Sequence, residues 1–80
     1  MNKIVYEVAE GTGAGWSEET AHKYAGGRAV VMTKSVKSGV RIARCLANRQ
    51  MYKKWDEQGI YGGGMLIWET LTINGKSVIE

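Results

Sequence analysis

The sequence has one cysteine, one histidine and no proline, and it has no acid anywhere from Lys34 to Lys54. A single thiol excludes an internal disulfide and any multi-cysteine metal centre, and it fits a reducing cytoplasm. One histidine and one cysteine fall short of a tetrahedral zinc site, so neither a metal nor another cofactor is expected. With no proline linker, no repeat and no low-complexity tail, the 80 residues read as one domain, 1–80. No apolar run approaches the roughly 20 residues that span a bilayer, so no membrane partner is expected. The start, Met1-Asn2-Lys3-Ile4-Val5-Tyr6, carries one basic residue but no apolar h-region, and no signal peptide is expected.

The missing acid is the most informative absence. Seven of the eleven basic residues, Lys34, Lys37, Arg41, Arg44, Arg49, Lys53 and Lys54, fall in that 21-residue stretch. The other 59 residues hold four basic side chains and all eight acids, which divides a formal +3 into a +7 segment and a −4 remainder. A field polarised in this way steers partners, and it suits a phosphate backbone or an acidic protein face. A chain this short has little room for an elaborate catalytic cleft, so a binding module is the better expectation.

Lys3 to Ala9 reads as a strand, rich in β-branched and aromatic residues, with Glu10 to Gly15 a loop. Trp16-Ser17-Glu18-Glu19-Thr20 looks like the start of a short helix, with Ser17 as cap, two acids at the positive end of the dipole, and Gly26-Gly27 as its stop. Thr20 stands where Glu or Gln would complete a capping box. Arg28 to Thr33 reads as a second strand. From Ser35, the recurrence of Val36, Val40, Ala43, Ala47 and Met51, with Leu46 and Gly39 on the same side, predicts an amphipathic helix of about five turns. Gly39 lowers helix propensity by roughly 1 kcal/mol relative to Ala, which suggests close packing against the sheet there. Gly59 and Gly62-Gly63-Gly64 break the chain. Met65 to Ile73 is a third strand, Asn74-Gly75 a tight turn, and Ser77 to Ile79 a fourth strand, with Ile73 facing Lys76 and Leu71 facing Val78. The expected fold is a small α+β domain: an antiparallel sheet of three to four strands, one long helix on one face, and a short additional helix.

The long helix decides how the charge is displayed. At 100° per residue Lys37, Arg41, Arg44 and Asn48 lie within about 60° of arc beside the apolar stripe, and Tyr52 continues the row. Arg49 and Lys53 emerge on the other flank. One edge therefore offers cations, an amide and a phenol in line, suited to phosphates or to carboxylates. The bland alternative is a solvated helix face, although such faces usually mix both signs. Trp55 and Tyr61 are the better surface candidates, while Trp16 and Trp68 are candidate anchors for a partner for which core packing is the favoured reading. The candidate partner-binding residues are therefore Lys37, Arg41, Arg44, Asn48, Arg49, Tyr52 and Trp55.

Other chemistry is thin. Gly11-Thr12-Gly13-Ala14-Gly15 lacks the third glycine of a dinucleotide loop, where Trp16 stands, and the Gly-Lys-Ser/Thr ending of a nucleotide loop. A flexible connector is the simpler reading. His22 lies one helical turn after Glu18, which an ordinary surface pair explains as well as an acid-base pair does. Cys45 points away from the apolar stripe, and no second histidine or acid cluster completes a nucleophile around it. No enzymatic activity and no small-molecule substrate are expected.

The segments Ala29-Val30-Val31-Met32-Thr33-Lys34-Ser35, Ile42-Ala43-Arg44, and Met65-Leu66-Ile67-Trp68-Glu69-Thr70 with Asn74-Gly75 together resemble small phage-encoded inhibitors. The pattern is similar to anti-CRISPR proteins of the type I class, which pack one helix on a short antiparallel sheet. No family binding residue carries over from this likeness. What it implies is a stoichiometric inhibitor in the cytoplasm of a bacterial host, occupying a nucleic-acid-handling surface of a host protein complex. A direct DNA- or RNA-binding module, using the same cations on phosphates and Tyr52 or Trp55 on bases, is the alternative. A third reading is an assembly subunit whose sheet edge pairs with a copy of itself.

Overall fold

The alternation Ile4, Tyr6, Val8 places three large side chains on one side of a strand, and the core forms on that side. The computed structural model of the chain describes residues 1–11, 26–58 and 65–79. Its elements are β1 (Asn2–Gly11), β2 (Gly26–Thr33), α1 (Val36–Gln58), β3 (Met65–Ile73) and β4 (Lys76–Ile79). The four strands make one antiparallel sheet in the order β2-β1-β3-β4. This is the expected α+β architecture of one long helix on a four-stranded sheet. The short helix expected from Trp16, and the glycines from Gly59 to Gly64, lie outside the described residues.

Two glycine readings change. Glu10 and Gly11 belong to β1, beyond an irregularity after Ala9, rather than to a loop. Gly26 and Gly27 open β2, which starts two residues before Arg28, and Gly27 is buried against α1, where a Cβ would strike the carbonyl of Ala47. Gly39 does pack closely, as its position in a helix suggested: a Cβ there would stand 2.8 Å from Ile4 Cγ1 and nearer still to the Thr33 hydroxyl. Gly27, Gly39, Ala43 and Ala47 together form a seam of small residues that lets the helix lie close on the sheet.

The core comprises Ile4, Tyr6, Val8, Ala29, Ala43, Ala47, Met51, Trp55 and Leu71, with Val31, Val40 and Ile73 packed against it. Leu46 is not in it. That side chain is 42 % exposed, since it stands roughly a quarter-turn away from the Ala43–Ala47 line. α1 has 23 residues, longer than expected by about a turn. Ser35 caps it, its Oγ accepting from the Ser38 N–H at 3.3 Å while the Thr33 hydroxyl donates to the Ser35 carbonyl at 2.7 Å.

Asn74 and Gly75 have φ of 52° and 82°, the left-handed pair of a two-residue hairpin turn. Ile73 faces Lys76 as expected, but a shift between Leu71 and Thr72 brings Ile79, not Val78, opposite Leu71. The turn is tied to the start of β1. The Asn74 N–H donates to the Lys3 carbonyl at 2.8 Å, the Lys3 N–H donates to Asn74 Oδ1 at 2.9 Å, and Asn74 Nδ2 donates to Asn2 Oδ1 at 2.9 Å.

α1 rests on β2 and β1. Its flanks therefore differ: one looks out over β3, and the other overhangs the outer edge of β2.

Candidate binding edge

A residue every three or four positions along one helix flank makes a row, and here the row is cationic. Lys37, Ser38, Val40, Arg41 and Arg44 line an open groove of about 490 Å³. Lys37, Arg41 and Arg44 are exposed and lie on the flank that looks over β3, so the structure brings these three predicted residues together. Val40 adds an apolar wall and Ser38 a hydroxyl. The groove thus offers positive charge with a strip of hydrocarbon, a combination that holds carboxylates or phosphates attached to an apolar body.

Arg44 is held from below. Its guanidinium carbon lies 5.6 Å from the centroid of the Tyr6 ring, within cation–π range. Tyr6 is buried, and its hydroxyl donates a short hydrogen bond to Glu69 Oε2 from β3. Burial pushes the phenol up to about 12, helped by the hydrogen bond to Glu69 and the Glu69 charge and opposed by Arg44. Tyr6 therefore stays protonated at neutral pH and links the basic edge to the sheet.

The remaining predicted residues divide. Asn48 continues the row but is half-buried, and its Nδ2 donates to the Arg44 carbonyl at 2.9 Å, which ties up part of its amide. Arg49 is exposed on the opposite flank, away from the groove. Tyr52 is 52 % exposed, past the end of the row. Trp55 is a correction: it is 6 % exposed and part of the core, so it is no surface anchor. It lies on the same side of the helix as Lys37 and Arg44, but near Gln58, where the flank meets Met51 and the sheet. Its ring supports Tyr52 edge-on, centroids 5.6 Å apart and planes at 82°. Its buried Nε1 finds no hydrogen-bond partner among the described residues.

Sequence reasoning missed Tyr6 and Glu69. They lie 63 positions apart, and only the β1–β3 register, with Tyr6 opposite Leu71, brings them under Arg44. Of the other candidates, Cys45 is an exposed free thiol and Trp68 is half-buried in β3. His22, Glu18, Trp16 and Tyr61 lie outside the described residues. Among the described residues no three His, Cys, Asp or Glu side chains are grouped to hold a metal, and no helix is long and apolar enough to cross a membrane.

Comparison with known families, curated proteins and solved structures returned no match.

Proposed function

We propose that the chain is a non-enzymatic inhibitor of the small phage-encoded kind, which binds a nucleic-acid-processing protein complex in the cytoplasm of a bacterial host. The contact would run along Lys37, Arg41 and Arg44, with Tyr52 as an apolar anchor beyond them. The inhibitor role rests on the pattern likeness to type I anti-CRISPR proteins. Binding rests on geometry, and the single observation that carries it is an acid-free basic row lining an open groove.

Helix electrostatics support that reading. Favourable placement puts acids in the first turn and bases in the last, each worth about 0.3–1 kcal/mol. α1 has neither, and it has Lys37 in its first turn and Asp56 and Glu57 near its end. Lys37 is therefore set against the helix dipole at the place where it lines the groove, which fits a role in binding better than one in helix stability.

The second reading, direct nucleic-acid binding, is favoured by one observation, the exposed Tyr52 ring beyond the cations. Against it stand the modest net charge of +3 and the nearby Asp56 and Glu57. Affinity capture from a bacterial lysate, with half the sample treated with nuclease, separates the two. Under the inhibitor reading a protein complex survives nuclease and is lost with Arg41→Glu/Arg44→Glu. Nucleic acid alone, lost with nuclease or moderate salt, would replace that reading with the second.

A further inference from the structure

The outer edge of β2 carries a pattern of its own. β2 ends the sheet order, and the Arg28 N–H donates to Gln50 Oε1 of α1 at 2.7 Å rather than to β1. By strand alternation Arg28, Val30 and Met32 all turn their peptide groups away from β1, with the Arg28 N–H occupied by the helix. The side chains of Val30 and Met32 are 45 % and 54 % exposed, on the sheet face away from α1. On the other face Ile42 and Leu46, 41 % and 42 % exposed, stand two turns and one turn before Gln50 on the flank that overhangs the same edge. Four exposed aliphatic side chains thus border one strand edge. That is a patch on the order of the few hundred Å² that marks an association surface.

We propose that this edge pairs with the same edge of a second copy, antiparallel about a two-fold axis at Val31, to give a continuous eight-stranded sheet with two helices side by side. The register selects the partner. If the axis passes through Val31, the outward peptide groups of Val30 face those of Met32 in the copy, and the reverse, and each pair exchanges two hydrogen bonds. The same register sets Val30 against Met32 of the copy twice on the open face, and it brings Ile42 and Leu46 towards their equivalents above. One arrangement satisfies the outward groups and covers all four side chains, because the strand is complementary to itself. Doubled across the axis, the contact joins the strand backbones and four aliphatic side chains from each copy. Gln50 ends the pairing at Arg28. Arg28 is already paired with Glu7 at 3.3 Å, but Lys34, Arg49 and Lys53 of each copy lie on this side, so like charges face one another and salt strengthens this association, whereas salt weakens any contact of the basic edge with an anionic partner.

Sedimentation equilibrium of the full chain over a range of protein and salt concentrations tests the proposal, alongside hydrogen exchange of the Val30 and Met32 amides. The expected result is a mass rising to twice 8.8 kDa, favoured by salt, with those two amides slowing as the dimer forms. Met32→Lys and Leu46→Glu, both at exposed positions, should each return the mass to that of a single chain without changing the far-UV circular dichroism, while Arg44→Glu should leave the dimer intact. A single-chain mass at every concentration would overturn it. So would a dimer that survives both variants, or one in which the two amides still exchange fast.

Discussion

Tyr6 joins the core to the binding edge. Its ring lies under Arg44 and its hydroxyl holds Glu69, so three segments of the chain meet at one phenol. The unfolded phenol titrates near 10 and the folded one at about 12. Above pH 10 the unfolded chain sheds a proton that the folded chain keeps, and stability must decline as pH rises from about 10 through 12. Tyr6→Phe should remove that part of the alkaline decline, visible as a flatter Tm against pH, and at neutral pH cost about 1–2 kcal/mol for the lost bond to a carboxylate. An unchanged alkaline slope in the variant would contradict this role. Gly27 makes the sharper steric case. Gly27→Ala sets a methyl against the Ala47 carbonyl and should destabilise by about 2–3 kcal/mol in urea unfolding, where a tolerant site would show almost none.

At the scale of elements, the hairpin and the helix were the most legible. Asn74-Gly75 adopts the two left-handed conformations that its sequence demands, and the side chain of Asn74 also clamps β1. Asn74→Ala loses both contributions and should cost about 1–2 kcal/mol by thermal or urea unfolding, while Asn74→Gly keeps the turn and loses only the clamp. Ser35→Ala, which removes the helix cap, should cost about 1 kcal/mol. What the sequence hid followed from tertiary approach. Gly27 is needed in β2 because α1 comes so near, a demand that spacing along the chain does not show. Leu46 and Trp55 exchanged places relative to expectation. Periodicity gives a face but not its width, and the small seam residues narrow the buried stripe around Ala43 and Ala47, leaving Leu46 outside. Trp55 goes inward because its position continues the buried side past Met51.

For the whole molecule, the charge division read from composition becomes an asymmetry of surfaces. The row Lys37, Arg41, Arg44 was legible because helical geometry needs only sequence spacing. The groove beside it was not, since it depends on α1 resting over β2 and β1 instead of centring on the sheet. Two flanks of one helix thus carry different tasks: the flank of Lys37, Arg41 and Arg44 for an anionic partner, and the flank of Ile42 and Leu46, which also carries Arg49 and Lys53, for a second copy. The central claim is that the basic row, and not the overall positive charge, makes the contact. Its most direct test compares two triple variants of equal charge change against the captured partner, Lys37→Glu/Arg41→Glu/Arg44→Glu and Arg49→Glu/Lys53→Glu/Lys76→Glu, all at exposed positions, by titration calorimetry. The first variant should lose at least about tenfold in affinity, or 1.4 kcal/mol, while the second loses much less and both remain folded. Equal losses in the two variants would show that net charge alone drives binding, and would contradict the assignment of the site.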